Sequence, residues 1–371
     1  MPQRQTVRVA TYNTSLFRPA PGGLLADLST PDNAQARAVA EVIRRVDPDI
    51  LLLNEFDYSP GSPSGVDLFR TNYLAAEGPG GPPVHYPCAF TAPANTGVPS
   101  GFDLDGDGAA AGPQDAFGYG AFEGQYGMAL LSKYPVDAAG VRTFAKFRWQ
   151  DMPGNLMPEG FCSGPVRAVL RLSSKSHWDV PVTVAGHILH VLASHPCPPA
   201  FDGPEQRNIR RNHDEIRLWA DYVSGGARAG YLYDDAGRAG GLPPGERFVV
   251  LGDLNADPQD GRSWPGAAGQ LLRHPLIQDP RPASAGAVES ARLQGGANVY
   301  HLSDPRLDTA DFGRRTGNLR VDYVLPSKDL AVAGAGVFWP RRGEPGAELA
   351  GRFPFPASDH RLVWVDLALR A

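Results

Sequence analysis

Residues 50–55 read Ile-Leu-Leu-Leu-Asn-Glu, and this stretch decides how the rest of the sequence is interpreted. Four consecutive large apolar residues are typical of a short strand that is buried on both faces, as central strands of α/β sheets are. Asn54 and Glu55 follow directly. The strand therefore delivers an amide and a carboxylate to its end.

The same order of an apolar strand and then polar residues recurs along the chain. The further predicted strands are residues 7–13 ending at Asn13, residues 188–194 before His195, residues 248–252 before Asp253 and Asn255, residues 320–325 around Asp322, and residues 362–365 after Asp359 and His360. Their β-branched and alternating apolar residues are typical of strands. Each places polar side chains beside a strand.

Two amphipathic helices lie between these strands. Thr30-Pro31-Asp32 resembles an N-cap with proline in the first turn, which predicts a helix from about residue 31 to 46. A second helix is predicted over residues 205–223. We expect its charged residues Arg210 and Arg211 to form a solvated face, paired with acidic neighbours on the same helix.

Length and composition favour one domain over residues 1–371. The chain is 42% hydrophobic, enough for a large core, and no Pro/Ser linker divides it. Its 43 glycines and 36 prolines concentrate in residues 78–115, 225–245 and 262–296. Such stretches are typical of turns and loops, so we expect long surface insertions there.

Charge and cysteine content narrow the function classes. The formal net charge of −5 offers no basic surface for tight nucleic-acid binding, which weighs against a nuclease without excluding it. Cys88, Cys162 and Cys197 are too few for a disulfide framework or a cysteine-based zinc site, although one disulfide plus a free thiol stays open.

Targeting features are scarce in the sequence. No apolar stretch reaches membrane-spanning length, and no signal-like segment precedes the first predicted strand. We therefore expect a monomer without a membrane span, cytoplasmic, or secreted or periplasmic if this is a processed chain.

The polar residues beside the strands form a coherent chemical set. Any one of them is more often part of an ordinary turn than of a site. Together they supply hard oxygen ligands, imidazoles and amides, which phosphoester hydrolysis requires. The set comprises Asn13, Glu55, His195, Asp253, Asn255, Asp322, Asp359 and His360.

The ordered motifs that contain these residues resemble the endonuclease/exonuclease/phosphatase superfamily, which includes deoxyribonucleases, abasic-site endonucleases and sphingomyelinases. They are T-Y-N, L-N-E, Y-G-M-A-L-L-S-K, S-H-P, G-D-L-N-A-D, R-V-D-Y-V-L-P-S and S-D-H, and the match runs from residue 7 to about 368. The resemblance implies a four-layer α/β sandwich, in which two packed mixed β-sheets are flanked by helices.

The resemblance also implies a metal site. By motif, Glu55 corresponds to the principal ligand of Mg²⁺ or Mn²⁺, with Asn13 beside it and Asp359 nearby. Magnesium suits such carboxylate-and-water sites.

The remaining catalytic roles follow from the same motifs. His360 would help to activate the attacking water, oriented by Asp322, and Asp253 could share that role. Asn255 would hold the phosphate or the water, and His195 would donate to a phosphate oxygen or the leaving group. The alternatives are a structural His195 and an Asp322 that is an ordinary strand-edge charge.

Three functions remain to be weighed. The favoured hypothesis is hydrolysis of a phosphoester in a small molecule, a lipid headgroup or a nucleotide. The second hypothesis is a nuclease that acts on DNA or RNA. A noncatalytic binding module is the third, and the presence of every expected polar residue argues against it. Arg207 and Asn208 are predicted to line the mouth of the site and bind substrate.

One motif lies outside the resemblance. Residues 103–108 read D-L-D-G-D-G, and Asp103, Asp105 and Asp107 match the first half of an EF-hand calcium loop. Gln114 stands at the twelfth position, where that loop has an acidic residue. A separate structural Ca²⁺ site and a solvated acidic turn both remain open.

Overall fold

Strands and helices alternate along the chain. The computed structural model describes residues 4–160 and 163–370. Its strands are β1 (Arg4–Leu16), β2 (Ile50–Phe56), β3 (Cys88–Phe90), β4 (Met128–Ser132), β5 (Arg142–Thr143), β6 (His177–Val184), β7 (His187–Ser194), β8 (Phe248–Asp253), β9 (Ala310–Asp311), β10 (Asn318–Leu319), β11 (Asp322–Pro326), β12 (Ala331–Val337) and β13 (Val363–Arg370). Its α-helices are α1 (Gly23–Leu28), α2 (Ala34–Val46), α3 (Gly65–Phe69), α4 (Gly164–Val169), α5 (Arg207–Ser224), α6 (Gly226–Ala229), α7 (Gly269–Leu272), α8 (Ala285–Gln294), α9 (Gly313–Thr316) and α10 (Ala347–Ala350).

Most strands belong to two mixed sheets. The first sheet has the order β12-β13-β1-β2-β4-β3, with β1 parallel to β2 and antiparallel to β13. The second has the order β11-β8-β7-β6-β5, with β7 parallel to β8 and antiparallel to β6. A two-stranded ribbon of β9 and β10 is separate. The carboxyl ends of each parallel pair meet at one sheet edge.

Apolar clusters divide the molecule into layers. Ile50 and Leu52 of β2 pack between the two sheets, whereas Leu51 and Leu53 pack on the outer side, in the cluster that includes α2. This two-sided burial explains why residues 50–53 of the strand are all apolar. The outer side of the second sheet is covered by α5, through residues such as Trp219. The predicted four-layer sandwich is thereby confirmed.

The start of α2 was predicted wrongly. Its N-cap is Asn33, whose side chain accepts the Ala36 backbone N–H at 3.0 Å, so Thr30-Pro31-Asp32 lies before the helix. An asparagine oxygen can satisfy a free N–H of the first turn as well as threonine can. The helix ends where expected, at Asp47, which has a left-handed φ of 50°.

The polar face of α5 is buried, so the predicted solvated face was wrong. Arg211 is only 8% exposed, and its guanidinium donates to the backbone oxygens of Phe117, Arg171, Leu172 and Ser173. Asp214 accepts from the Trp149 indole N–H at 2.6 Å instead of pairing with an arginine. Arg210 lies over the ring of Trp264.

The Gly/Pro-rich stretches contain regular structure as well as loops. Residues 78–115 include β3 at the edge of the first sheet, and residues 262–296 include α7 and α8. Cys88 and Cys197 are free thiols, while Cys162 lies outside the described residues. Across the described ranges, no helix is both long and apolar enough to cross a membrane.

Candidate active site

Polar residues from both sheets meet at one edge of the sandwich. Asn13 lies in β1 and Asp253 at the end of β8, and the Asn13 Nδ2 donates to Asp253 Oδ2 at 3.0 Å. The backbone N–H of Asp253 donates to Asn54 Oδ1 at 3.2 Å. Gly252, which precedes Asp253, lets β8 lie close to β7, because a Cβ there would lie 1.9 Å from the oxygen of Ser194 in β7.

Two imidazoles face the same carboxylate oxygen. His195 Nε2 lies 3.3 Å from Asp253 Oδ2, and His360 Nε2 lies 3.7 Å from it. Burial would raise the pKa of Asp253, but the two histidines and the Asn13 amide outweigh burial and hold that pKa well below its usual range. Asp253 is therefore a carboxylate that stays ionised between two rings.

His360 is oriented by a second carboxylate. Its Nδ1 lies 2.9 Å from Asp322 Oδ2, which also accepts the Thr309 hydroxyl at 2.8 Å. Burial alone would lower the pKa of His360, but Asp322 and Asp253 outweigh it and raise that pKa well above its usual value. The predicted Asp322–His360 contact is thus present.

His195 is almost fully enclosed, at 2% exposure. Burial, with a contribution from Lys175, lowers its pKa to about 4 despite the nearby Asp253. In the described part of the chain, no group hydrogen-bonds to its Nδ1. Buried polar atoms without partners are uncommon and are often completed by a ligand or water.

Glu55 and Asp359 form the second acidic part of the edge. Burial raises the pKa of Glu55 to about 7, against the influence of His360, and the nearby Asp359 adds to the rise. Asp359 Oδ1 accepts the Ser15 hydroxyl at 3.0 Å, and Ser358 Oγ donates to the Asn13 backbone oxygen at 2.7 Å. The donors available here are hard oxygens, which suit a divalent cation.

Lys175 also lies at this edge, and it was not among the residues predicted from the sequence. This residue is 7% exposed, and its ammonium is near enough to Glu55 and His195 to lower the pKa of both. It lies in the polar run Ser173–His177, directly before and into β6. That run follows the same pattern of polar residues beside an apolar strand and could have been found by it.

The other predicted residues hold loops around the edge. Asn255, with a left-handed φ of 52°, donates from Nδ2 to Pro196 O at 3.0 Å. Arg207 donates to Leu104 O at 3.1 Å, and Asn208 donates from Nδ2 to Ala200 O at 2.8 Å. These contacts fix the segment that follows His195 and the start of α5.

Of the predicted calcium residues, the structure brings two together. Asp103 and Asp105 each place a carboxylate oxygen within 4.8 Å of one another and of Asp115, which the sequence analysis did not name. The Asp107 carboxylate instead accepts the Ala109 N–H at 2.8 Å.

A groove of about 620 Å³ opens beside Asp359. Arg314, Arg352, Phe353 and Phe355 contribute to its walls. Phe312, another wall residue, packs its ring against His360 with centroids 5.4 Å apart. The groove therefore lies beside His360, with the ring of Phe312 in contact with it, and its walls carry aromatic and cationic side chains.

Comparisons with known proteins identify the family of the chain. The model of the Endonuclease/Exonuclease/phosphatase family matches residues 10–360. The chain shares its fold with an endonuclease/exonuclease/phosphatase from Beutenbergia cavernae DSM 12333, at 20% identity and a TM-score of 0.54, over 100% of this chain and 72% of that one. It also resembles an endonuclease/exonuclease/phosphatase family protein from Leptotrichia buccalis C-1013-b, at 11% identity and a TM-score of 0.50, over 98% and 100% of the two chains. No curated protein matches the sequence. Because the family model spans nearly the whole chain, this protein belongs to the endonuclease/exonuclease/phosphatase family of metal-dependent enzymes that hydrolyse phosphoester bonds.

Proposed function

We propose that the chain hydrolyses a phosphodiester or phosphomonoester in a small molecule, a lipid headgroup or a nucleotide, by direct attack of water. The observation that carries the proposal is the convergence of His195 and His360 on one oxygen of Asp253, next to the acidic pair Glu55 and Asp359. Acid–base groups and cation ligands at one edge are the components that this reaction needs.

The acidic pair fits a divalent cation. Glu55 is a largely buried carboxylate with Asp359 and Asp253 near it, and a cation would offset that concentration of negative charge. Glu55 would be the principal ligand, with Asp359 and the Asn13 side-chain oxygen beside it, and Mg²⁺ or Mn²⁺ suits these donors. When bound, the ion stabilises negative charge on the phosphoryl oxygens.

His360, oriented by Asp322, would help to activate the attacking water. Asp322 holds Nδ1 of the ring, which leaves Nε2 directed toward Asp253 at the open side of the pair. A carboxylate at Nδ1 fixes the tautomer and stabilises the protonated ring. Asp253 would share the base role by accepting a hydrogen bond from the same water.

His195, Asn255 and Lys175 would contact the phosphoryl group or the leaving group. Among the described residues, nothing hydrogen-bonds to Nδ1 of His195, and an anionic substrate would favour protonation of that ring. Lys175 adds a fixed positive charge where negative charge develops during the reaction. That Arg207 and Asn208 also bind substrate stays a prediction.

The groove beside Asp359 supports a small substrate. Its volume of about 620 Å³ is in the range of small-molecule sites. Arg314 and Arg352 could pair with a second anionic group, and Phe353 could contact an apolar or ring-shaped part. The net charge of −5 agrees with a compact anionic ligand rather than a long polyanion.

A substrate panel tests the proposal. Bis-aryl phosphate, aryl phosphate, nucleotides, phospholipid vesicles and plasmid DNA are each assayed with Mg²⁺, Mn²⁺, Ca²⁺ and chelator. We expect turnover of a small diester or monoester, and a loss of about 10²–10⁴-fold in Asp253→Asn purified in the same way. Cleavage of plasmid DNA alone would favour the nuclease alternative instead.

A second measurement tests the groove. Phe353, 87% exposed, is replaced by alanine, and the exposed Leu276, which is not among the wall residues, serves as the matched apolar control. Phe353→Ala should raise KM for the preferred substrate by several-fold with little change in kcat, whereas Leu276→Ala should change neither. Equal effects of the two substitutions would remove the groove from the proposal.

A further inference from the structure

The loop Asp103–Gly108 lies next to the carboxylate of Asp115, which the sequence motif does not include. Asp103, Asp105 and Asp115 each place one carboxylate oxygen within 4.8 Å of the other two. Asp103 and Asp105 are exposed, whereas Asp115 is only 3% exposed. The group therefore consists of two solvent-facing acids above a buried one.

The buried acid is incompletely paired. Asp115 Oδ1 accepts the backbone N–H of Leu104 at 2.6 Å. Its Oδ2 is enclosed as well, and no donor in the described ranges reaches it. Burying a carboxylate oxygen without a partner is costly, and buried charges are normally paired or bound to a metal. This oxygen separates the loop from an ordinary acidic turn that faces solvent.

We propose that Asp103, Asp105 and Asp115 bind one calcium ion. Three carboxylates provide hard oxygen donors, and Ca²⁺ accepts about six to eight oxygens in flexible geometry, so backbone carbonyls and water can complete its shell. Mg²⁺ demands a stricter octahedron and fits such an open loop less well. The site differs from an EF-hand loop, because Asp115 closes it in place of Gln114 and the Asp107 carboxylate does not belong to the group.

The proposed ion would stabilise an insertion that supports the catalytic edge. Leu104, within the loop, accepts from Arg207 at the start of α5. The backbone N–H of Asn95, at the base of the same insertion, donates to the oxygen of Lys175 at 2.9 Å. Calcium at the loop would thus hold in place a segment that contacts Lys175, while sharing no residue with the acidic pair Glu55 and Asp359.

The test is calcium binding by the full chain after treatment with chelator. Calorimetric titration and thermal melting should show binding at micromolar to millimolar Ca²⁺, as an order of magnitude for such loops, with a melting temperature raised by several degrees. Asp115→Asn should weaken that binding at least about tenfold. Asp105→Asn should do the same, and because Asp105 is exposed, its replacement leaves folding intact.

Two further variants make the outcome decisive. Asp107→Asn should bind Ca²⁺ as the unmodified chain does, since its carboxylate is outside the group. Glu55→Gln, which alters the acidic pair at the catalytic edge, should leave the calcium-dependent rise in melting temperature intact. Absence of any calcium response, a response retained in Asp105→Asn, or a response lost in Glu55→Gln would each overturn the proposal.

Discussion

Asn13 and Asp253 join the two sheets by one hydrogen bond, from Nδ2 to Oδ2 at 3.0 Å. The residues are 240 positions apart, and both are buried; Asn13 lies in β1, three residues before its end at Leu16, and Asp253 is the last residue of β8. The oxygen that accepts this bond also faces His195 and His360. The candidate active site therefore depends on the packing of one sheet against the other.

Removal of divalent metal should abolish activity reversibly. Without a cation the carboxylates of Glu55 and Asp359 repel each other, and no other group at the edge supplies a double positive charge. Glu55→Gln should raise the metal concentration for half-maximal activity by about tenfold or more, and the exposed Glu348→Gln should not change it. Metal titration of turnover after chelation measures both, and full activity in excess chelator would contradict the mechanism.

Replacement of Lys175 should slow catalysis without unfolding the protein. Its ammonium influences Glu55 and His195, so Lys175→Met removes a charge that would stabilise the phosphoryl oxygens. We expect kcat/KM to fall about 10–100-fold with a melting temperature close to that of the unmodified chain. Lys146→Met, at an exposed position, is the control. An unchanged kcat/KM would show that Lys175 is only structural.

The site residues that could be predicted from the sequence are those that lie beside strands with long apolar runs. Strand alternation places Asp322 and His360 beside strands, but only the family resemblance predicts the contact between them, which the structure contains. Lys175 was missed because the strand that follows it had not been predicted. Asp115 could not be predicted as a partner of Asp103 and Asp105 from sequence spacing. The path of the loop, which brings the three together, depends on buried contacts such as those of Leu104.

Glu215, an acidic residue of the predicted solvated helix face, was expected to be exposed but is buried. Its position on a charged helix face suggested solvent exposure, yet it is fully buried, because it accepts the backbone N–H of Ser174 at 2.5 Å and of Cys197 at 2.7 Å. Helical periodicity identifies a polar face but does not reveal loops that fold over it. Those two segments lead to Lys175 and follow His195, so the misjudged residue supports the site.

Glu215→Gln should destabilise the protein strongly. An amide offers one oxygen, and its NH₂ group would oppose the N–H of Ser174 or of Cys197, leaving a buried donor without an acceptor. We expect the free energy of unfolding to fall by about 2–4 kcal/mol, measured by urea denaturation, with Glu348→Gln as the exposed control. A loss below about 0.5 kcal/mol, typical of surface substitutions, would contradict this role.

Stability should fall with rising pH through Asp308. Burial raises the pKa of Asp308 to about 8, and Asp257, Asp260 and Asp304 add to the rise. A carboxyl with a folded-state pKa above its unfolded value favours folding while protonated, and that contribution is lost as pH rises from about 4 to 8.

Asp308→Asn imitates the protonated form and should remove this dependence. The variant should be more stable than the unmodified chain by about 1–3 kcal/mol at pH 8.5 and nearly equal to it at pH 4.5. Urea denaturation of both proteins at the two pH values measures the difference. A variant equally stable or less stable at pH 8.5 would show that the pKa of Asp308 is not raised in the folded protein.

The Asp322–His360 pair should behave as one catalytic unit. Asp322→Asn keeps the shape of the side chain but removes the charge that holds the ring protonated and fixes its tautomer. Turnover should fall by about 10²–10⁴-fold, as for other positioned acid–base groups. Thr309→Val removes a hydroxyl that donates to Asp322 Oδ2 and accepts the backbone N–H groups of Val321 and Asp322, and it should have a much smaller effect on turnover.

A double-mutant cycle separates shared function from independent contributions. If the carboxylate acts only through the ring, nothing remains for it to do in His360→Ala, so the double variant should be hardly slower than His360→Ala alone. Rates at saturating substrate, with melting temperatures recorded for all variants, measure the coupling. Losses that multiply would mean that Asp322 reaches the reaction by another route, and unmodified turnover in His360→Ala would mean that the ring is not the group that moves the proton.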